Sequence, residues 1–474
     1  MTPSADQAHR SMLFRGGTVL TLDAGLGELA GGDVLVTGDR IQAVGHDLEA
    51  PDGAEIVDAR GHIVMPGFVD GHRHCWQGSL RRLVTEADLP RYMAVTHDGV
   101  ARHYRPEDMY AGDLVALLGA LDHGFTTVTD VSHNTRSRAH ADAVFQAYRD
   151  AGIRAIHASA PPNAHEWEEH WPDDLGRLRG IADGEDLVTL RMAIDMRRVR
   201  PVPELMSIAR ELGIGITFDG VMGAASSEEI AQLGGEGLLG PDVTFIHATS
   251  LGDPAWEALE SSGSHVVLAT TSDEQLGLAG AIPPVQRVMD HGMRPGLSVD
   301  VEISLAGDPF TQMRATLLTQ RMLATAERMS GGPSRRLLES AEVLEWATIG
   351  GAAAGGIADQ TGTLTPGKQA DLLLVRTDDI GAIPAGGNTA GTIVHGVDRA
   401  SIRGVLVGGR VRKWDGELVG LDLDRVRGLA EGSRAYLLEQ AGFRLTPGGL
   451  EGVGEMQDEW LRTYLGSHDD EVAG

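Results

Sequence analysis

Eight apolar, strand-like runs alternate with amphipathic, helix-like segments through the middle of this chain, while both ends carry an all-strand texture. These observations predict a (β/α)8 TIM-like barrel plus a small β-sandwich domain formed by the N- and C-terminal segments. The punctuation agrees. Helix-like segments often end in Gly just before the next strand, as in AYRDAG, ARELG and RVMDHG, because glycine readily takes the left-handed turn that closes a helix.

Residues 12–66 open the small domain. MLFRGGTVLTL, DVLVTGDRIQAVG and AEIVDARGHIVM alternate apolar and polar residues and are broken by Gly-Gly and Gly-Asp turns, the pattern of short strands. The barrel is expected over 67–362, with strands GFVDGH, FTTVTDV, IRAIHAS, LVTLRMAI, IGITFD, VTFIHAT, HVVLAT and GLSVDV. The strand texture returns over 363–420 in GTLTPGKQADLLLV and SIRGVLVGGRVRKWDG, completing the composite domain. Residues 421–474 read as a helix, DRVRGLAEGSRAYLLEQAG, followed by an acidic tail.

Composition narrows the partners. A net charge of −28 over 474 residues argues against nucleic acid and against an anionic membrane surface. No apolar run is long enough to span a bilayer, and the N-terminus is polar. The single cysteine, Cys75, excludes internal disulfides and fits a reducing cytoplasm. The only lysines are Lys368 and Lys413, so no lysine-derived ligand can form in the central region. A small-molecule partner is the expectation that remains.

Barrel chemistry sits at the C-terminal ends of the strands, and here those ends are rich in imidazoles and carboxylates. The first run ends in His72 and His74, two residues apart and therefore on one side of a strand. The second leads to Asp130 and then Ser132, His133 and Asn134; the third carries His157; the fourth leads to Asp195. The fifth ends in Asp219, the sixth in His247 and the eighth in Asp300, while Asp273, Glu274 and Gln275 follow the seventh. Taken singly, Asp195 or His157 reads most simply as a helix cap or a satisfied buried polar group. His72, His74, His247 and Asp300 together are hard to explain by packing. Neutral imidazoles and a carboxylate are the donor set of a divalent cation that keeps a position open for water. Trp76 and Gln77 after the histidine pair, with His133, His157 and Gln275, are candidate substrate contacts. Phe310 reads as a core anchor of the helix after strand eight.

PGFVDGHRH, GFTTVTD, FIHATS, LSVDVEIS and ATIGGAAAGGIADQTGTLTPGKQADLLLV together resemble the amidohydrolase superfamily, in its cytosine-deaminase-like and triazine-hydrolase-like branch, over about residues 12–420. The resemblance implies His72 and His74 as metal ligands, Asp300 as ligand and general base, and His247 as the group that polarises substrate or orients water. It also implies one zinc or iron ion and a homodimer. Two positions depart from the family pattern. Asp219 stands where the resemblance expects a strand-five histidine, and Met222 where deaminases of this branch place a proton-shuttling glutamate.

Asp219 leaves two chemistries open. As a metal ligand it completes a mononuclear centre, and the expected activity is hydrolysis of a non-peptide C–N bond in a small cyclic or heteroaromatic molecule by metal-bound water. Without metal, Asp219 and Asp300 would form an acid-base pair for dehydration, cyclisation or elimination. A non-catalytic binding protein is the third alternative, because a fold alone does not choose a function.

Overall fold

The computed structural model describes residues 11–168, 170–195, 199–278, 282–460 and 462; the acidic tail expected at the C-terminus lies outside the described residues. Five strands open the chain: β1 (Ser11–Leu20), β2 (Glu28–Thr37), β3 (Arg40–Gly45), β4 (Glu55–Asp58) and β5 (His62–Pro66). Eight follow in the middle: β6 (Phe68–Arg73), β7 (Phe125–Ser132), β8 (Arg154–Ser159), β9 (Val188–Ile194), β10 (Gly215–Met222), β11 (Val243–Thr249), β12 (His265–Leu268) and β13 (Gly296–Leu297). The strand texture returns in β14 (Leu372–Arg376), β15 (Ile402–Val407), β16 (Arg410–Trp414) and β17 (Glu417–Leu418).

The two ends of the chain meet in one hydrogen-bonded sheet of nine strands, ordered β17-β16-β15-β14-β5-β1-β2-β3, with β4 beside β1. β14 shows why both ends are needed. Its Leu372 and Leu374 enter a core shared with Met12, Phe14, Val34, Val36, Leu406 and Trp414. Its Leu373 and Val375 point the other way, into the core of the barrel. A strand apolar on both faces cannot be left exposed on either. Arg154 on β8 adds a polar weld: Nε and Nη2 donate to Asp371 at 2.7 and 3.2 Å, with both residues buried.

β6 to β13 form an eight-stranded parallel sheet in chain order. It closes where the chain after β13 returns to β6. His74 N donates to Asp300 O and Asp300 N to His72 O, each at 3.0 Å, and Arg73 bridges Asp300 in parallel register. Arg73, alternating with the two histidines, points away from the mouth and binds Asp70 at 2.7 Å and Glu302 at 3.0 Å. Gly67 allows the step from the nine-stranded sheet into the barrel, since a Cβ there would lie 2.0 Å from Thr126 Oγ1. Phe310 is buried edge-on to Phe68.

After the barrel the chain adds a helix, Leu423–Gln440, and a small hairpin (Arg444–Thr446 with Gly449–Glu451). Among the described residues no helix is long and apolar enough to cross a membrane.

Removing one member of a buried ion pair leaves the other charge unpaired, which costs about 3–5 kcal/mol. Asp371→Ala should therefore lower unfolding stability by about that amount in urea titrations, with Arg154 stranded between the two domains. A second prediction concerns Asp113, buried in the helix Pro106–Asp122. Burial, then the nearby Asp130, raises its carboxyl well above the usual range. A folded-state pKa above the unfolded one contributes stability that is complete below the ordinary carboxylate pKa. That contribution is lost as pH rises through the folded pKa. Wild-type stability should fall by up to about 1.4 kcal/mol per pH unit in that window, and Asp113→Asn should remove this slope in denaturation curves taken at several pH values.

Candidate active site

The mouth of the barrel is built from strand ends, and alternation along β6 supplies its first two groups. His72 and His74 face inward with ring centroids 4.6 Å apart and planes nearly perpendicular. His247 arrives from β11 and Asp219 from β10. The β10–β11 register slips between Phe218 and Val221; such an irregularity re-aims side chains at the rim of a barrel. Asp300 follows β13. Asp300 and His247 hold φ of +63° and +71°, left-handed backbone that a non-glycine residue keeps only where its surroundings enforce it.

Asp219 sits at the centre. Its Oδ1 is 3.5 Å from His72 Nε2 and 3.6 Å from His247 Nε2, and its Oδ2 is 3.4 Å from His74 Nε2. Asp300 Oδ1 lies 3.1 Å from His72 Nε2 and 3.4 Å from His74 Nε2. Ser272 Oγ donates to the other Asp300 oxygen. Gly220 N donates to Asp219 Oδ1 at 2.7 Å.

Hydrogen bonds behind the rings decide what they present to the centre. His74 Nδ1–H donates to Val131 O at 3.0 Å, and His247 Nδ1–H to Asp273 Oδ1 at 2.8 Å. A neutral imidazole has one N–H, so Nε2 of each then offers a lone pair to carboxylate oxygens. His72 has no hydrogen-bonding partner at Nδ1 among the described residues and hydrogen-bonds Asp300 Oδ1 through Nε2 at 3.1 Å. At His74 and His247, ring lone pairs facing carboxylate oxygens in a buried pocket require positive charge between them.

The titration behaviour says the same. Burial works against charge on His72 and His247, but the surrounding aspartates outweigh it and raise both, His247 strongly. Burial works equally against Asp219 and Asp300, and the imidazoles outweigh it, holding Asp219 well below the usual range and Asp300 at about 2. Burial lifts Asp273 to about 6. A cation satisfies the same demand as protons on the rings. Ligand atoms of His72, His74 and Asp219 lie within 4.8 Å of one another, as do those of His72, His247 and Asp300. Imidazole nitrogen and carboxylate oxygen are donors that suit zinc or iron.

The remaining candidate residues divide. His133 lines the cavity, stacked on His74 at 4.0 Å between centroids, and burial with His74 and His97 beside it pushes its pKa well down. Trp76 does not reach the cavity wall; fully buried, it stands behind His133 and donates from Nε1 to His133 Nδ1 at 3.1 Å. Gln77 is likewise one layer back, donating to Tyr92 Oη at 2.7 Å. His157 lies outside the cavity, beside Tyr148 Oη at 2.8 Å, and that hydroxyl in turn donates to Asp130. Gln275 donates to the backbone of Thr85 and Ala87 at 3.3 Å and is not part of the lining.

The structure adds Leu89, Tyr92, Met93 and His97, from the segment between β6 and β7, and Asn163, from the loop after β8. No strand alternation marks them, because Leu89, Tyr92, Met93 and His97 reach the site from short helices (Leu89–Met93 and Ala94–Val100) and Asn163 from a loop. Asp195, singled out at a strand end, joins them at the cavity wall.

Fold and site together define a barrel that gathers imidazoles and carboxylates at its C-terminal mouth around a place for positive charge. The amidohydrolase family model matches residues 63–199 and 217–412. The chain belongs to the amidohydrolase family. It is 23% identical over 412 residues to a 5'-deoxyadenosine deaminase of Methanobrevibacter smithii, covering 83% of this chain and 91% of that one. It is 27% identical over 427 residues to a 5-methylthioadenosine/S-adenosylhomocysteine deaminase of Desulforudis audaxviator, covering 86% and 95%. Among solved structures, an adenosine deaminase from Xanthomonas campestris with bound zinc superposes with a TM-score of 0.76 at 21% identity, over 91% of this chain and 99% of that one. An atrazine chlorohydrolase from Arthrobacter aurescens complexed with zinc gives 0.74 at 22% identity, over 90% and 100%.

Against burial, Asp219 and then Asp273 raise the His247 pKa, so Asp273→Ala should lower it, as read by NMR titration of the ring protons.

Proposed function

We propose that this protein hydrolyses a C–N bond, other than a peptide bond, in a small cyclic or heteroaromatic molecule. His72, His74, Asp219 and Asp300 hold one divalent cation, zinc or iron, for that purpose. The observation that carries the reading is the convergence of imidazole lone pairs and two carboxylates on one buried point. The named activities of the deaminase relatives and the zinc in the structural neighbours support it.

Such a cation supplies a Lewis acid and brings the pKa of a bound water towards about 7. The chain supplies the rest. Asp300, its second oxygen held by Ser272, is placed to take a proton from the attacking water. His247, braced on Asp273, presents Nε2 to the mouth. Once it carries a proton there, it donates to the group that gains negative charge during attack. Met222 lines the cavity in the place of a shuttling carboxylate, so the proton for the departing nitrogen comes from Asp300 or His247. Asp219 makes the ligand set more anionic than three imidazoles and one aspartate, which lowers the Lewis acidity of the ion it holds.

Protein purified without added metal or chelator should carry about one zinc or iron per chain by elemental analysis, and His72→Ala should lose it. Asp300→Asn should reduce ammonia release from amino-substituted N-heterocycles by about 10²–10⁴-fold. A metal-free wild type that gains an ion only as Asp219→His would sink this reading in favour of Asp219–Asp300 acid-base chemistry. The reading extends to a cytoplasmic homodimer, for which light scattering should report twice the mass of the chain.

A further inference from the structure

The wall formed by His133, Asp195 and Asn163 has no assigned task in the hydrolysis just described. Each of its groups has a defined hydrogen-bonding sense. Indole N–H can only donate, so the bond from Trp76 Nε1 makes His133 Nδ1 an acceptor. An imidazole whose Nδ1 lone pair is used in this way carries its proton on Nε2. His133 Nε2–H faces Asp195 Oδ2 at 3.9 Å, beyond hydrogen-bonding distance, so both border the same gap. Asn163 Nδ2 donates to Asp195 Oδ2 at 2.7 Å. A carboxylate only accepts, which fixes the amide orientation; Asn163 Oδ1 is then buried without a hydrogen-bonding partner among the described residues. The wall therefore offers one donor and two kinds of acceptor.

The same three elements also suggest a different occupant. Ligand atoms of His133, Asp195 and Asp219 lie within 4.8 Å of one another, the spacing of a second cation bridged by Asp219. The Trp76 bond counts against it, because the His133 nitrogen on that side bears hydrogen rather than a lone pair. An anionic ligand fits no better: the described residues lining the cavity include three aspartates and no arginine or lysine.

We infer that His133, Asp195 and Asn163 form a recognition wall for the amidine-like edge of an amino-substituted N-heterocycle, a ring nitrogen beside an N–H-bearing carbon. The ring nitrogen accepts from His133 Nε2–H, and the amino hydrogens go to Asn163 Oδ1 and Asp195. Ligand atoms of His133, Asp195 and Asp219 lie within 4.8 Å of one another, so the wall adjoins the proposed metal site. Trp76 is then a positioning residue: it never touches substrate but dictates which His133 nitrogen carries the proton. This inference rests on the hydrolase reading and narrows its substrate class.

The test compares two ring probes of opposite pattern, 2,6-diaminopyridine (N–H, N, N–H) and glutarimide (C=O, N–H, C=O), by calorimetric titration of the metal-loaded protein. Wild type should prefer the diamine by at least about 10-fold in Kd, the effect of one or two matched hydrogen bonds. Trp76→Phe, which frees His133 to take either tautomer, should erase most of that preference while leaving one metal per chain. Because Trp76 is fully buried, a second pair guards against misfolding: His133→Gln, which keeps an N–H donor, should retain the preference, and His133→Leu should lose it. Equal binding of both probes by wild type overturns the proposal, as does a second equivalent of metal that the diamine displaces. Failure of the hydrolase reading shows differently, as preference without turnover of any amino-heterocycle; failure of the recognition wall shows as turnover without preference.

Discussion

The active site depends on one join in the barrel wall. Asp300 pairs through its backbone with both His72 and His74, so the act of closing the barrel is also the act of bringing the carboxylate to the imidazoles. The closing strand is short, Gly296–Leu297, and would hold poorly by main-chain bonds alone. Buried charges reinforce it. Asp70 accepts from Val299 N at 3.0 Å and from Arg73, and Arg73 and Arg81 both grip Glu302. Arg73, between His72 and His74, turns away from the mouth and joins this clamp to the strand that carries the two histidines.

A second constraint is electrostatic. Three imidazoles and two carboxylates share a pocket from which water is nearly excluded, and the cost of leaving such groups unsatisfied is high. The bonds from His74 to Val131 O and from His247 to Asp273 commit their second nitrogens to the centre before any ligand arrives. This is preorganisation in the literal sense: the ring orientations that a cation needs are already held by the protein. The positive φ values of Asp300 and His247 are local strain that the surrounding contacts sustain.

Much of this was legible in the chain. Eight apolar runs gave eight barrel strands, and the polar residues that end them include His72, His74, Asp219, His247, Asp300 and Asp195, all gathered at one mouth. Period-two reasoning works there because a strand end has only two sides. It fails one residue later. Trp76 and Gln77 sit on a short 3-10 turn, Cys75–Leu80, where alternation no longer applies, and both turn into the layer behind the wall. His157 is inside β8 rather than at its end, and is committed to a tyrosine that no local pattern could pair with it. The lining from Leu89, Tyr92, Met93 and His97, on short helices, and from Asn163, on a loop, arrives by tertiary packing, a long-range outcome with no local signature.

Asp219 links the departures from the family pattern into one argument. Replacing a neutral imidazole by a carboxylate lowers the charge of the ligand set by one. A divalent cation held between Asp219 and Asp300, as proposed, would be formally neutralised, and the described residues lining the pocket include no arginine or lysine. On that proposal, negative charge developing on a substrate would rely less on the ion and more on His247 backed by Asp273. An electron-poor, amino-bearing ring is the kind of substrate for which that weaker electrophile suffices, because its own ring nitrogens take up part of the charge. Asp195 at the opposite wall favours the same choice, since it welcomes N–H groups and repels anions. On the proposed reading, Asp219 and Asp195 thus act in the same direction, towards a neutral or cationic heterocycle.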